Sequence, residues 1–558
     1  MRLSIPSIYL PSFLLFFLLP TPTSATKKSY VVYLGAHSHC PEQSPIDFNR
    51  VTETHYEFLA SFLGSHALAK ESILYSYARH INGFAATFDD EVAASIAKHP
   101  KVISVFLNKG RKLHTTRSWD FLGLEHDGVI ASNSSWKKAR YGEDTIIGNL
   151  DTGVWPESKS FSDEGMGPIP SKWKGICQNE TDAGFHCNSL LCKNGTLDPR
   201  KVKGKILVCL RGQNARVDKG EQALLAGALG MVLANSEING NEILADAHVL
   251  PASHINFTDG VAIFTYCNST KSPKAYITRA TTVLGTNPAP FMAAFSSKGP
   301  STVVPEILKP DITAPGVSVL AAYTEAQGPT NQIFDERRVQ FNSLSGTSMS
   351  CPHVSGIAGL LKTLHPTWSP AAIRSAIMTT AKTQDNRREP ILNASYVKAT
   401  PFSCGAGHVL PNSAMDPGLV YDLSINDYLN FICALGFNET QVSMFSDNPY
   451  KCSKLISLAN LNYPSITIAK LSDSITVTRT LKNVGSPGTY RAHVQEPSGI
   501  LVIVKPETLK FRKVDEEKSF NITLMVREAK ASEDYVFGRL IWSDGKHSVK
   551  SPIVVKAV

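Results

Sequence analysis

Four short runs of β-branched and aromatic residues predict the strands of a small α+β unit near the N-terminus. The runs are Ser29–Leu34, Ile73–Tyr77, Gly83–Ala86 and Val102–Phe106. Two stretches with helical periodicity, residues 56–68 and 90–98, separate them. The pattern predicts one compact unit that ends at the basic residues 109–112. That basic stretch fits a solvated linker better than a processing site.

A nearly continuous apolar run over residues 144–150 ends on Asp151 and precedes Thr152 and Gly153. Such a run is typical of a buried parallel strand whose C-terminal end presents a side chain to a loop. The pattern therefore predicts a strand over 144–151 that delivers Asp151 to a site. An aspartate in an ordinary turn is the commoner alternative.

Two further units follow from the pattern. Gly204–Cys209 and Gly230–Ala234 are predicted as strands, with Lys219–Ala226 as a helix between them, in a small module that extends to about residue 279. Near the C-terminus six short strands alternate with turn signals, at residues 466–468, 475–479, 490–494, 501–504, 520–526 and 549–555. This spacing is the signature of an all-β sandwich of roughly 100 residues.

A helix is predicted just after Ser348. The apolar positions with helical spacing are Val354, Ile357, Leu361 and Leu364. Pro366 ends the run, so Ser348 lies at or just before the helix N-terminus. A serine there meets the positive end of the helix dipole, and Gly346 permits the close approach that a nucleophile needs. Taken alone, the pattern also fits an ordinary serine N-cap.

The first 25 residues read as a signal peptide. One early arginine precedes an apolar core at Ile8–Leu19, which is shorter than the ~20 residues of a membrane-spanning helix. We therefore expect secretion, with release after Ala25. Eight N-x-S/T acceptors fit a glycosylated surface: Asn133, Asn179, Asn194, Asn256, Asn268, Asn393, Asn438 and Asn521.

Composition narrows the class of protein. The 558 residues are 42% hydrophobic and 19% charged, which excludes disordered, collagen-like and multi-span membrane chains. The net charge of +8 is spread along the chain, so a nucleic-acid partner has little support. Three cysteine pairs are close enough in sequence for local disulfides: 177 with 187, 192 with 209, and 433 with 452. The chain has no zinc-type spacing, and we expect no metal and no cofactor.

Four motifs make this sequence resemble the subtilisin-like serine proteases, specifically the secreted plant subtilases. They are Leu150–Ser158, Phe295–Pro300, Lys309–Gly316, and Gly346–Ser350 with Pro352–Val354. The resemblance implies an α/β fold: an incomplete subtilisin-like parallel-sheet catalytic domain with an α+β inhibitor-type prodomain, a protease-associated insert and a fibronectin III-like β-sandwich. The implied boundaries are 1–25 for the signal peptide, 26–114 for the propeptide, 115–188 and 286–458 for the two catalytic parts, 189–285 for the insert and 459–558 for the sandwich.

The resemblance also implies a chemistry. Ser348 would be the nucleophile, and Asp151 would orient and stabilise a catalytic histidine, with backbone and asparagine donors holding the oxyanion. Protein or peptide substrates and the chain's own inhibitory propeptide would be the partners. The expected location is extracellular, in the apoplast or cell wall.

One part of that machinery is missing from the sequence. The family order Asp, His, Ser puts the base between Asp151 and Ser348, where three histidines occur: His186, His248 and His254. None has the family's His-Gly-Thr-His setting, and no Ala-Gly-Asn-Ser-Gly segment supplies the oxyanion asparagine. His353 is about 140° around the helix from Ser348, so we expect it to be structural.

The gap implies a clean internal deletion near Asn188 and Ser189, because the flanking sequence stays family-like. We therefore expect little or no proteolysis from this chain. Three interpretations stay open: a protease locus with a longer product, a non-catalytic secreted interaction protein, and a misfolded product.

Overall fold

The computed structural model describes residues 27–35, 48–77, 82–108, 118–151, 154–155, 157–162, 192–193, 195–278, 283, 285–445, 450–452, 457–527 and 534–558. The chain divides into two compact units, Met1–Leu113 and His114–Val558. Each unit is treated by itself below. The predicted signal peptide and His186 lie outside the described residues. In the part of the chain that the structure describes, no helix combines the length and the apolar character needed to cross a membrane.

The first unit is the predicted α+β module. Its elements are β1 (Lys28–Gly35), α1 (Phe48–Leu63), α2 (His66–Ser72), β2 (Ile73–Tyr77), β3 (Asn82–Phe88), α3 (Asp90–Ala97) and β4 (Ser104–Leu107). The four strands form one antiparallel sheet in the order β2-β3-β1-β4. Asp89 caps α3 by accepting a hydrogen bond from the Val92 amide at 2.9 Å. Leu59, Phe84 and Ile96 are fully buried between the helices and the sheet, so the unit has its own core.

The next described module begins after the Cys192 turn. Its elements are α6 (Pro199–Val202), β5 (Ile206–Leu210), α7 (Arg216–Leu225), β6 (Gly230–Ala234), β7 (Ala252–Ile255) and α8 (Phe257–Ser269). Two short helices, α4 (Ser118–Phe121) and α5 (Ser135–Lys138), precede the module in the chain. The three strands form a parallel sheet in the order β5-β6-β7. The predicted strand, helix and strand at 204–234 are confirmed.

This module joins the segment after it through a buried carboxylate. Glu242 is 3% exposed, and one of its oxygens accepts hydrogen bonds from the backbone amides of Ala294 at 2.6 Å and Phe295 at 3.3 Å. Its other oxygen pairs with Arg211 at 3.0 Å. A charge buried this completely is stable only when it is paired, and here both of its oxygens have partners.

The segments before and after the module share one helical core. Its later elements are β8 (Val319–Ala322), β9 (Phe341–Leu344), α9 (Thr347–Leu364), α10 (Pro370–Thr379), α11 (Pro401–Cys404), α12 (Pro411–Ala414), β10 (Leu419–Val420), α13 (Ile425–Ala434) and α14 (Glu439–Ser443). Leu122 and Leu124 pack in the same buried cluster as Ile357 and Leu361 of α9. Asn412 ties the two segments further, because its amide group bonds the backbone of Gly123 and Ser135.

The predicted parallel strand over 144–151 is wrong. Residues 145–150 pair with no strand among the described residues, and Ile147 and Leu150 are 49% and 100% exposed. A strand exists only through ladder hydrogen bonds to a neighbour, and this segment instead contacts a helix. The sheet described in this part of the chain is the antiparallel pair β8 and β9.

The C-terminal residues form the predicted sandwich. Its strands are β11 (Ile466–Leu471), β12 (Ser474–Asn483), β13 (Gly488–Gln495), β14 (Ile500–Lys505), β15 (Thr508–Phe511), β16 (Glu517–Val526), β17 (Val536–Ser543) and β18 (Ser548–Ala557). The two sheets have the orders β10-β12-β16-β14 and β11-β18-β17-β13-β15. The six predicted strands are confirmed, and the sequence interpretation missed β15 and β17. Trp542, Tyr490, Phe511 and Phe520 fill the largest buried core of the described residues.

Two of the three predicted disulfides are present. Cys192 bonds Cys209, and Cys433 bonds Cys452. The third pair, residues 177 and 187, lies outside the described residues.

Candidate active site

Ser348 lies in the first turn of α9 and is exposed. The helix continues for 18 residues, so its aligned peptide dipoles place about half a positive charge at this end. Pro352 lies inside the helix and has no N–H, which leaves the Ser348 carbonyl without its usual helical hydrogen bond. The Ser348 hydroxyl makes no hydrogen bond to another described residue. The site therefore presents an electropositive, accessible serine that contacts no base among the described residues.

Residues 314–318 hold the loop that leads into α9. The Gly346 amide donates to the Gly316 carbonyl at 2.8 Å, and the Ser350 hydroxyl donates to the Ala314 carbonyl at 3.0 Å. The Ser318 amide donates to the Ser345 hydroxyl at 2.7 Å. These bonds fix the backbone on both sides of Ser348.

Gly316, rather than Gly346, is the glycine that the chain's own packing requires. A Cβ at Gly316 would lie 2.1 Å from the Ser350 hydroxyl and 2.9 Å from the Gly346 carbonyl oxygen. Gly346 has an extended φ of 168°, and a Cβ there would meet the Met349 sulfur at an ordinary 3.6 Å. Close packing within the chain therefore requires a glycine at position 316, 30 positions before Gly346.

We expect Gly316→Ala to lower the free energy of unfolding by about 1–3 kcal/mol, because the added methyl group overlaps Ser350 and the loop before Ser348. Gly346→Ala is the matched control and should cost less, since its methyl group fits. Urea unfolding of both variants measures the difference. Equal losses in the two variants would contradict this assignment.

The segment before Asp151 lies against α9. The hydroxyls of Thr145 and Thr363 are 2.6 Å apart, and Ile147 packs against Gly359. Asn149 reaches Cys351, whose thiol lies 3.7 Å from the Asn149 amide oxygen. The segment therefore runs from the C-terminal turns of the helix toward its first turns.

Asp151 follows Asn149 by two residues and is exposed. Two residues of extended chain span at most about 7 Å, so the Asp151 backbone lies within about that distance of the Asn149 backbone. The sequence interpretation missed Asn149 and Thr145. Their signal was a polar residue at positions 145 and 149 of an otherwise apolar run.

The described histidines between Asp151 and Ser348 have partners elsewhere. His254 contacts the Asn235 amide oxygen at 2.7 Å and the Leu244 backbone at 3.0 Å. His248 packs against Gly220 of α7. Burial lowers the pKa of both imidazoles. Both therefore belong to the module around β5-β6-β7, as predicted.

His353 is engaged on its own helix. Its Nδ1 lies 2.7 Å from the Met349 carbonyl oxygen, to which it donates. This bond turns the ring along the helix backbone and agrees with the predicted structural role.

Another histidine, His408, is buried in the same part of the chain. His408 is 4% exposed, its Nδ1 donates to the Val409 carbonyl at 3.1 Å, and the Phe121 ring stands edge-on at 5.3 Å. Burial, helped by the charges of Lys382 and His353, lowers the pKa of His408 to about 4. The ring is therefore neutral in the folded chain at neutral pH.

This burial predicts a loss of stability in acid. The unfolded chain binds the His408 proton from about pH 6.5 downward, whereas the folded chain resists it until about pH 4. The contribution is complete above pH 6.5 and falls by roughly 3 kcal/mol as the pH drops through that window. Urea unfolding at pH 7 and pH 4.5 should show the loss, and His408→Gln should reduce it. Exposed His126→Gln is the control and should leave the slope unchanged.

No group of three or more His, Cys, Asp or Glu side chains that could hold a metal ion occurs among the described residues. The described side chains in the first turns of α9 and against them include the hydroxyls of Ser348 and Ser350, the Cys351 thiol and the Asn149 amide. This arrangement suits nucleophilic chemistry at a serine once a base is supplied.

Four family descriptions match successive parts of the chain. The peptidase inhibitor I9 matches residues 29–114, the PA domain 177–263, the subtilase family 240–407 and a fibronectin type-III domain 460–555. Their order is that of the units described above.

Full-length relatives decide the family. Subtilisin-like protease SBT5.3 of Arabidopsis thaliana is 45% identical, and the match covers 96% of this chain and 97% of that protein. The chain belongs to the subtilisin-like proteases. SBT5.4 of the same plant is 44% identical over 96% of both chains, and a subtilisin-like protease of Glycine max, Glyma18g48580, is 36% identical over 98% of this chain and 99% of its own.

The length of these alignments shows that the relatives contain residues that this chain does not have. The SBT5.3 alignment spans 746 positions, 188 more than the 558 residues of this subtilase. At least that many positions of the relative have no counterpart here.

Proposed function

We propose that this subtilase descends from secreted serine endopeptidases, with Ser348 as the nucleophile and Asp151 as the acid of the triad. We further propose that the 558-residue chain does not turn over substrate. The base and the oxyanion asparagine belong to a segment that this chain lacks. Neutral Ser348 then has no group to accept its proton during attack on a peptide carbonyl.

The observation that carries this proposal is the surroundings of Ser348. The serine has an exposed position, the helix dipole and a rigid loop, which are the fixed parts of a nucleophile site. It has no imidazole contact within the described residues, and His353 is held by the Met349 carbonyl. The nucleophile is positioned but not activated.

The alignment length supports a gap of the size that the missing machinery requires. We place the gap near Asn188, between Asp151 and the insert, because the sequence resembles the family on both sides. The exposed apolar residues of the Asp151 segment fit this position, since Leu150 and Ile147 have no parallel neighbouring strand among the described residues to be buried against.

The domain layout that we propose follows the predicted boundaries. A propeptide over 26–114 would occupy and inhibit the protease, and catalytic parts over 115–188 and 286–458 would flank an insert over 189–285. The signal peptide predicted from the sequence supports secretion, and the family resemblance supports the cell wall space as the destination.

A non-catalytic secreted interaction protein is the second candidate. The specific observation in its favour is that the insert and the sandwich each have a complete buried core, which the gap leaves intact. Binding through these modules needs no turnover. Both candidates predict that the isolated chain does not cleave its own propeptide.

We expect the propeptide junction to stay uncut when the chain is made in a host-free system, because self-cleavage needs the complete triad. N-terminal sequencing should find no mature terminus at Thr115. A Thr115 terminus that disappears in Ser348→Ala would overturn the proposal that this chain is inactive.

A further inference from the structure

An open cleft of ≈ 590 Å³, whose lining does not include Ser348, lies on unit 2 where α13 meets the sandwich. Asn430 and Phe431 of α13 line one side, and Thr478 and Thr480 of β12 line the other. Asp422 and Lys482 close the cleft with an ion pair at 3.7 Å. Hydroxyl, amide and charged groups around one aromatic ring can hydrogen-bond the hydroxyls of a sugar and pack against its ring.

Asn521 borders this cleft. On β16 it lies opposite Thr478 of β12, and the next outward pair in the same direction is Ser519 with Thr480. Residues two apart on a strand are about 7 Å apart and face the same side. The exposed row of Asn521, Ser519 and Glu517 therefore runs along the cleft, and Ser519 is bonded to Thr480 of its wall at 2.8 Å.

The Asn521 side chain is held by its oxygen and leaves its nitrogen available. The Thr478 hydroxyl donates to the Asn521 amide oxygen at 2.9 Å. The Asn521 nitrogen makes no hydrogen bond to another described residue, and the side chain is exposed. Asn521-Ile522-Thr523 is an N-x-T acceptor, and the side-chain nitrogen is the atom that carries an N-linked glycan.

We propose that Asn521 carries an N-linked glycan whose first sugars lie in this cleft. In the modification, the Asn521 nitrogen bonds C1 of the first sugar while the bond from C1 to a lipid diphosphate donor breaks. The amide proton leaves with the diphosphate. The sugars then cross the Ser519–Thr480 row and stack on Phe431, joining the sandwich to α13. This inference rests on the proposed secretion.

Native deglycosylation tests the proposal on the full chain, secreted from eukaryotic cells. The internal control is Asn268, a sequon at the exposed C-terminal end of α8, far in sequence from the cleft. Glycopeptide mass spectrometry should find both sites occupied. An endoglycosidase should release the Asn521 glycan from the native protein about tenfold more slowly than the Asn268 glycan, which corresponds to about 1.4 kcal/mol of protection. Denaturation should remove the difference.

Two variants separate the cleft from the acceptor itself. Phe431→Ala removes the ring, and Thr480→Val removes one hydroxyl while keeping the shape of the side chain, so both should speed release at Asn521 and leave Asn268 unchanged. Equal native release at the two sites, or an unmodified Asn521 beside an occupied Asn268, overturns the proposal. If the full chain never reaches the medium, the proposed secretion fails instead, so the two failures are distinguishable.

Discussion

Restoring the missing segment should raise peptide hydrolysis by on the order of 10⁶-fold, because a triad without its base loses about that factor. The design inserts, between Asn188 and Ser189, the residues of SBT5.3 that have no counterpart in this chain. The measurement is kcat/KM on a peptide substrate for the chain with and without the insertion. The gain reflects a base that can accept the Ser348 proton and a donor for the oxyanion.

Two control variants show which residues produce the gain in peptide hydrolysis. Ser348→Ala in the restored chain should return hydrolysis to the level of the present chain, as should alanine in place of both histidines of the inserted His-Gly-Thr-His. Hydrolysis by the unrestored chain at a rate close to that of the restored one would contradict the assignment of the base to the gap.

The largest effect on stability is expected in the sandwich. Trp542 is fully buried, and the Phe520 ring packs against it at 5.0 Å. Trp542→Ala should lower the free energy of unfolding of this domain by about 3–5 kcal/mol, the usual cost of a large aromatic cavity. Chemical denaturation followed by circular dichroism measures the loss.

Trp542→Phe is the matched variant. The indole N–H is buried and has no hydrogen-bond partner within the described residues, so the smaller ring loses contacts but removes an unsatisfied donor. We expect it to retain well over half of the stability that the alanine variant loses. A phenylalanine variant as unstable as the alanine variant would show that the indole nitrogen is bonded in solution.

Sequence patterns predicted those elements whose own residues form a clear apolar run, even where the partner strand is distant, as for β11, which pairs with β18. The strands at Ile73–Tyr77 and Gly230–Ala234 match the structure residue for residue, because each is a short apolar run between clear helical or turn signals. The strands β15 and β17 were missed. Thr508–Phe511 is only four residues long and follows a proline, and Val536–Ser543 contains a glycine and an arginine that interrupt its apolar pattern.

The Asp151 segment shows where local pattern fails. Its apolar run has the composition of a buried strand, but a strand also needs a paired neighbour, which composition cannot supply. The structure packs Thr145 and Ile147 on α9 instead. The nucleophile side of the site was easier to predict, because the helical spacing after Ser348 and the end of the helix before Pro366 are both local.

For a similar reason, local sequence pattern could not identify Gly316 as the glycine that the loop before Ser348 requires. Gly346 is two residues before Ser348 in sequence, but the close contact belongs to Gly316, which reaches Ser350 only through the fold. Contacts between segments 30 or 200 residues apart have no signature in either segment alone.

Labelling of Ser348 by a fluorophosphonate tests the central claim most directly. The probe reacts with a serine only when a base activates it, and intact mass with peptide mapping identifies the labelled residue. The purified 558-residue chain should show no adduct at Ser348, while the chain restored by the inserted segment should be labelled there. An adduct at Ser348 of the unrestored chain, absent from its Ser348→Ala variant, would contradict the account.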